Sequence, residues 1–349
     1  MTGKSVPSSL GMAMKILLTS LLFAPSIGGI ETVSMLLARK FVAAGHSVKV
    51  VTMTTGDDEM NDDGFEVLRK PTFAQLWQAA RWSDVYFQSN ISLPLAAPLL
   101  LVRRPWIIVH HTWIPKPTGL SGMNHRLKRL LLRFGKSISI SKAVAESLPV
   151  PSKLIPNPYD AALFRIRESI PRSDDLVALG RLVSDKGFDL LVEALSLVAK
   201  EGYWPKLRII GDGPEKQALM QQAKDLGVAK QITFLGAMTG ETLAEELNRC
   251  SIAVIPSRWK EPFGVVALEV IACGCVPVGS SEGGLSDAIG PCGLTFPNGD
   301  SAALAAALVK LLKTPELLRD YRQHAGEHLR KHHPSTVARQ YLDTFASAL

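Results

Sequence analysis

Two glutamates, Glu261 and Glu269, flank the apolar run Pro262-Phe263-Gly264-Val265-Val266-Ala267-Leu268, a spacing that places one acid ahead of a helix and one inside it. Glycine at 264 lets the backbone approach a ligand closely. The free amides of Phe263, Gly264 and Val265 at a helix N-terminus are suited to hold a phosphate. Glu269 sits among Val265, Val266, Leu268, Val270, Ile271 and Ala272, where an unpaired charge is costly, so hydroxyl or amide partners are expected for it. A solvated surface glutamate is the plainer alternative, and the apolar neighbours argue against it.

Upstream, Gly180-Arg181-Leu182-Val183-Ser184-Asp185-Lys186-Gly187 follows an apolar run and precedes an amphipathic one. Arg181 and Lys186 are thereby placed on a loop at a sheet edge, and two cations there suit a diphosphate; a solvated loop with an idle lysine is the alternative. Gly211-Asp212-Gly213-Pro214 lacks the third glycine of a dinucleotide fingerprint, and Pro214 fits the first turn of a helix instead. In the first half, Gly28-Gly29 lies between a strand and a helix beginning near Glu31, another place where backbone amides can meet an anion. His110-His111 closes the apolar run WIIVHH, and Thr112-Trp113 after it suggest a polar, ligand-facing loop.

The elements that position these residues alternate. Apolar runs and amphipathic stretches follow one another almost without pause, the pattern of parallel sheets covered by helices. Strands are predicted near residues 15–19, 47–52, 84–88, 106–110 and 137–140, then near 176–179, 207–210, 232–235, 252–255 and 276–279. Each set makes one doubly wound sheet, so the fold class is α/β with two such domains. Ile155-Pro156-Asn157-Pro158 and the polar segment from Arg165 to Asp175 interrupt the rhythm as a linker would. The boundary is therefore placed near residue 170, giving domains at 1–170 and 171–331, with a last helix over 332–349 expected to pack back on the first. Ligands of such sheets bind beyond the carboxyl ends of the strands, so two facing sheets should hold theirs in an interdomain cleft.

A chain of 349 residues is comfortable for two such domains, and 46% hydrophobic residues without low-complexity stretches describe an ordered protein after the first dozen residues. Cys250, Cys273, Cys275 and Cys292 show no zinc-site spacing with histidine, so they are read as reduced thiols and no metal site is indicated. The run from Lys15 to Ser26 resembles a secretory signal, but the apolar run from Met14 to Leu22 has the length of a buried strand leading into a glycine turn. The apolar stretch from Ile91 to Val102 is too short, and too broken by Pro94 and Pro98, to span a bilayer.

Charge is uneven: residues 1–172 carry 21 Lys and Arg against 11 Asp and Glu, although the net charge of the whole chain is only +7. The excess concentrates between Arg103 and Lys142, with nine Lys and Arg and no acid. Within it, Met123 to Phe134 puts Leu127, Leu130, Leu131 and Phe134 on one helical face and Arg126, Arg129 and Arg133 on another. A membrane-surface helix and an ordinary half-buried helix fit this pattern equally. Nucleic acid fits least, because aromatic residues are not interleaved with the basic ones.

Taken together, these segments resemble glycosyltransferase family 4, retaining enzymes with two facing Rossmann-like domains in the GT-B arrangement. The likeness runs from the glycine turn with Glu31 through GHSVKVVT at Gly45, SKAVAESL at Ser141 and IPNPYD at Ile155, then through GRLVSDKG, IIGDGPE, ITFLG and VIPSRWKEPFGVVALEVIACGCVPVGSSEGG. The resemblance implies that Arg181 and Lys186 neutralise a donor diphosphate and that Glu269 holds ribose hydroxyls. It implies that Glu261 contacts the donor sugar, that the amides of Phe263, Gly264 and Val265 take the distal phosphate, and that His111 lies near the transferred sugar and acceptor. Gly28 and Gly29 would approach the phosphate, and Gly180 and Gly211 would border the donor.

The implied reaction moves a hexosyl group from a nucleoside-diphosphate sugar, uracil being the commonest base, to a saccharide or lipid-linked acceptor in bacterial surface-polysaccharide synthesis. No cofactor or metal is expected, since fixed cations take the metal's place and no Asp-x-Asp is present. No residue of the set is an obvious nucleophile, so transfer on one face of the sugar is inferred. Thr112, Trp113, Arg126, Arg129 and Arg133 are candidates for acceptor or membrane contact. The expected location is the cytoplasm, peripheral on the inner face of the membrane. A sugar-nucleotide epimerase or an inactive nucleotide-sugar-binding protein are the alternatives. Pro158 after Asn157, and Asp287 after Gly283-Gly284, depart from the family's usual residues.

Overall fold

The computed structural model describes residues 13–26, 28–56, 64–114 and 122–349. The first dozen residues, and Lys116 of the basic stretch, lie outside them. Seven strands form the first sheet: β1 (Lys15–Ser20), β2 (Ser47–Thr52), β3 (Glu66–Arg69), β4 (Val85–Ser89), β5 (Trp106–His110), β6 (Lys136–Ser139) and β7 (Ser152–Leu154). Six form the second: β8 (Leu176–Leu179), β9 (Leu207–Ile210), β10 (Ile232–Gly236), β11 (Ile252–Ile255), β12 (Val276–Ser280) and β13 (Leu294–Phe296).

Each chain path starts in mid-sheet, winds outward to one edge and returns to the other side of its first strand. The orders are β3-β2-β1-β4-β5-β6-β7 and β10-β9-β8-β11-β12-β13. Neighbours from β3 across to β5, and all neighbours of the second sheet, run parallel. Central strands such as VYFQS, WIIVH and IAVI are buried at every position because helices cover both faces. In sheets of this winding the strand order reverses between β1 and β4, and between β8 and β11. Loops leaving those four strands diverge at the carboxyl edge and leave a crevice.

The chain divides into two compact units. The first comprises the described residues up to Ile138, with Leu148–Lys153 and Ala338–Leu349; the second comprises Ser139–Ser147 and Leu154–Val337. The crossing therefore falls ahead of residue 170, and the segment read as a linker is built into the second unit. Asn248, fully buried, explains why: its Oδ1 accepts from the Arg167 amide at 2.8 Å and its Nδ2 donates to the Arg165 carbonyl at 3.0 Å. The Arg172 guanidinium donates to the carbonyls of Cys250 and Cys273. A polar, proline-containing segment thus behaves as structure when buried partners satisfy its backbone.

All four cysteines are free and buried. Desolvation pushes the thiols of Cys250, Cys273 and Cys275 up to about 12 and that of Cys292 up to about 11, which keeps them protonated and unreactive near neutrality. No helix among the described residues is long and apolar enough to cross a membrane.

Returning to the first unit, the end of the helix Pro334–Ala346 closes its core. Tyr341 and Phe345 stack with Phe41 and Phe87 at centroid distances of 5.2 to 6.4 Å, and all four rings are buried. Lys136 Nζ donates to the Ser347 carbonyl at 2.8 Å and Lys153 Nζ to Thr344 Oγ1 at 2.9 Å, fastening the helix at its polar margin. Phe345→Ala is expected to lower the unfolding free energy by about 3–5 kcal/mol, the range for emptying a buried aromatic site. Urea unfolding measures this, and a loss below about 1 kcal/mol would show that the aromatic cluster does not hold the helix in place.

Candidate functional site

The loops that leave β8 and β11 meet at the reversal point of the second sheet. Amides of Arg258 and Trp259 both donate to the Asp185 carbonyl, at 2.9 and 3.0 Å. Lys186 Nζ lies 2.5 Å from Glu261 Oε1, and the same oxygen accepts from Ser257 Oγ at 2.8 Å. Behind them, Arg258 pairs with Asp189 at 2.5 Å and Asn298 Nδ2 holds the Ser257 carbonyl at 3.1 Å. The Glu261 carbonyl accepts from the Gly284 amide at 2.7 Å, which fixes the backbone under the carboxylate. Glu261 is therefore oriented from its own main chain and by two donors on one oxygen.

The two cations expected on the first of these loops are not equivalent. Lys186 is committed to Glu261, whereas Arg181 is exposed and its guanidinium meets no hydrogen-bond or ion-pair partner among the described residues. Such close loop contact requires positions without a Cβ. At Gly187, in the left-handed region with φ 68°, a Cβ would stand 2.1 Å from the Pro256 carbonyl oxygen. At Gly284 it would stand 2.0 Å from that of Pro262. Gly211 faces the Gly180 carbonyl oxygen, 1.9 Å from where its Cβ would be, so the Gly180 backbone by itself requires glycine at 211.

Gly264, with φ 92°, turns the chain into the helix Val265–Ala272. Phe263 is buried and stacks on His332 at 5.6 Å, which anchors the turn while Gly264 and Val265 stay partly exposed. The first-turn amides of this helix lack intrahelical partners, and the helix dipole favours an anion there. Glu269 lies one turn further on and is half-buried. Desolvation, with Asp160 nearby, pushes its carboxyl up to about 7. The hydroxyl or amide partners expected for it are absent among the described residues.

In the first unit, the helix Gly29–Ala43 starts after β1, at that sheet's own reversal point. Its mouth is not open as the glycine pair suggests. Glu31 is buried and folds over it: a Cβ on Gly28 would stand 2.5 Å from Glu31 Oε2, and Ser26 Oγ donates to Oε1 at 3.2 Å. Gly29 has open space around it. At the end of β5, His110 is buried with Nε2 3.2 Å from Ser137 Oγ, and desolvation, with the neighbouring His111, holds it down at about 3. His110 is therefore neutral and structural.

His111 is also buried, its amide donating to Asn90 Oδ1 at 2.8 Å. Asn90 follows β4 and adopts φ 58°, so the loop at the reversal point positions His111 directly. Thr112 is exposed and Trp113 half-buried. Arg126 and Arg133 are exposed and Arg129 half-buried, on or just after the helix Gly122–Leu131, which tightens to a 3₁₀ turn over Leu132–Phe134.

Arg181, Lys186, Gly180, Gly211, Glu261, Phe263, Gly264, Val265 and Glu269 thus belong to the second unit, and Gly28, Gly29, His111, Thr112 and Trp113 to the first. Sequence reasoning missed Ser257, Asn298 and Asn90. Asn298-Gly299 is a turn dipeptide that could have marked one of them, whereas Ser257 and Asn90 carry no local signal. No group of three His, Cys, Asp or Glu among the described residues could hold a metal ion.

Comparison with known proteins agrees with this architecture. Two family models match consecutive parts of the chain, one described as Glycosyltransferase Family 4 over residues 27–163 and one as Glycosyl transferases group 1 over residues 162–328. Glycogen synthase of Mycobacterium tuberculosis is 35% identical over 166 residues, 46% of this chain and 40% of that one. A GDP-mannose-dependent alpha-(1-6)-phosphatidylinositol monomannoside mannosyltransferase of Mycolicibacterium smegmatis is 30% identical over 194 residues, 52% of this chain and 50% of that one. The matched stretches thus span half or less of these relatives' length. Among solved structures, Anabaena HepE in complex with UDP superposes with a TM-score of 0.80 at 21% identity, covering 96% of this chain and all of that one. Sucrose-phosphate synthase of Thermosynechococcus elongatus superposes at 0.78 with 20% identity over 96% of this chain and all of that one.

The environment of Glu269 fixes the sign of a pH effect. Its folded-state pKa of about 7 lies above the ordinary carboxyl value of 4.5 that holds in an unfolded chain, so between these values the folded protein holds a proton that the unfolded chain has released. Stability should fall as pH rises from about 4.5 to about 7 and level off above that. Glu269→Gln is expected to flatten this fall. Urea unfolding of both proteins across that range tests it, and parallel slopes would mean that Glu269 ionises as an ordinary carboxylate.

Proposed function

The chain belongs to glycosyltransferase family 4, and we propose that it is a retaining, metal-independent transferase that moves a hexosyl group from a nucleoside-diphosphate sugar to an acceptor hydroxyl. One observation carries the reading. At the reversal point of a single sheet, an unpaired cation, an opened helix mouth and a desolvated acid without protein partners lie on adjoining loops and the helix that follows them. A diphosphate, together with vicinal hydroxyls, satisfies all three.

In this reading Arg181 and Lys186 neutralise the diphosphate and the amides of Phe263 to Val265 take its distal phosphate. Glu269 accepts from the ribose hydroxyls. Donors of that kind stabilise its charged form, so ligand binding offsets the desolvation that now holds it near 7. Glu261 meets the donor sugar through the oxygen that Lys186 and Ser257 leave unoccupied. A carboxylate so tied is a poor nucleophile, which favours departure and attack on one face over a covalent intermediate. The acceptor hydroxyl loses its proton to the leaving phosphate, whose charge fixed cations stabilise in place of a metal. His111, with Thr112 and Trp113 beside it, is assigned to the acceptor.

Uracil is the proposed base, since HepE is described in complex with UDP; guanine is the competitor, since the mannosyltransferase relative is GDP-mannose-dependent. The proposed acceptor is a saccharide or lipid-linked glycan of bacterial surface-polysaccharide synthesis. Four free buried cysteines agree with a reducing, cytoplasmic compartment.

Thermal shift with UDP, GDP and ADP in excess EDTA tests the donor site. One nucleotide should raise the melting temperature, and Glu269→Ala and Arg181→Ala should each weaken its binding roughly tenfold to a hundredfold, the size of one lost charge-assisted hydrogen bond. No shift with any nucleotide would leave an inactive fold. With the sugar donor identified, an inverted anomeric centre in the product would refute retention, and loss of turnover in EDTA would refute metal independence.

A further inference from the structure

A groove in the first unit plays no part in the chemistry above. It runs between the segment 93–106 and the helix Gly122–Leu131, with a volume of about 850 Å³ and walls that include Leu93, Leu99, Leu100, Leu127 and Phe134. That volume lies in the range of sites that take a hydrocarbon-sized ligand, roughly 300–1,000 Å³. The groove's rim is hydrophobic where solvent would be expected. Leu100 is 83% exposed, Phe134 74%, and the adjoining Leu101 and Met123 are 69% and 76% exposed. Apolar side chains clustered this way on a surface mark a docking site.

The charges around the groove select its occupant. Arg103 and Arg104 line it; Arg104 donates to the carbonyls of Arg81 and Arg103 at 2.7 and 3.0 Å, while Arg103 is exposed. The helix on the opposite wall carries the exposed Arg126, and Arg133 follows it. From Arg103 to Lys142 the sequence holds nine Lys and Arg and not one acid. Basic side chains at one edge of the groove and on the neighbouring helix, beside exposed apolar ones, are complementary to a surface with phosphates above hydrocarbon.

We propose that this face docks on an anionic phospholipid bilayer, with hydrocarbon entering between Leu100 and Phe134 and phosphates meeting Arg103, Arg126 and Arg133. The docking is independent of the donor chemistry and is read without nucleotide. Flotation of the full chain with vesicles of phosphatidylglycerol and phosphatidylcholine, against phosphatidylcholine alone, tests it. Binding is expected on the anionic vesicles only, weakened by salt. It should be reduced about tenfold by Arg103→Ala with Arg126→Ala, and at least as much by Leu100→Ser with Leu101→Ser.

The leucine variant should keep the wild-type circular dichroism and melting temperature, because both side chains are largely exposed. No binding to anionic vesicles, equal binding to neutral ones, or an unaffected leucine variant would each overturn the proposal. So would sedimentation equilibrium showing a dimer that the leucine variant dissociates, since a second copy would then cover the groove.

Discussion

Lys186 and Glu261 come within 2.5 Å because the backbones beneath them run closer together than a Cβ would allow. The loop after β8 touches the loop after β11 at Gly187, and the latter touches the segment after β12 at Gly284. Three loops from parallel strands are thereby stacked at one sheet edge, main chain on main chain. Asp185 then accepts two amides of the second loop through its carbonyl, and the Gly284 amide bonds the Glu261 carbonyl. The side chains stand on a base that has little freedom to relax, so their spacing is set before any ligand arrives. Pre-organisation of this kind is what makes fixed charges effective against a developing anion.

On that base the charges are graded. Lys186 and Glu261 largely offset one another, whereas the Arg181 guanidinium on the same loop as Lys186 meets no partner among the described residues. Glu269 would oppose an incoming anion if it were fully ionised. Its desolvation means that ionisation depends on what the ligand brings: phosphate alone gives the acid nothing to accept, whereas a ligand with hydroxyls at this position stabilises the charged form.

The central strands of both sheets were legible because they are buried on both faces and read as unbroken apolar runs. Ser47–Thr52, Trp106–His110, Leu176–Leu179, Leu207–Ile210 and Ile252–Ile255 fall where the sequence places them. The strands that escaped are β3, β7 and β13, with the sequences EVLR, SKL and LTF. All three lie at sheet edges, are three or four residues long and are half exposed, so no apolar run announces them. The linker was misplaced for a related reason. Its polarity was visible, but the buried Asn248 that satisfies it lies more than 80 residues away in the chain. The pairing of Lys186 with Glu261 could not be read from spacing, because it depends on where two separate loops end.

The two sheets share a winding, and each has a glycine leading into a helix at its reversal point, yet their helix mouths differ. At Gly264 the mouth is open beside Glu261 and the anchored Phe263. At Gly28 the buried carboxylate of Glu31, held by Ser26, already lies over the first turn and interacts with the dipole there. Topology supplies a potential anion site at both places, and one side chain three positions into the helix decides whether the protein or a ligand fills it. Gly28 and Gly264 look alike as sequence, since each is a glycine standing just ahead of a helix. The difference is the acid: Glu31 is near enough to its own helix start to fold back, whereas Glu269 lies a turn further along and meets no hydrogen-bond partner among the described residues.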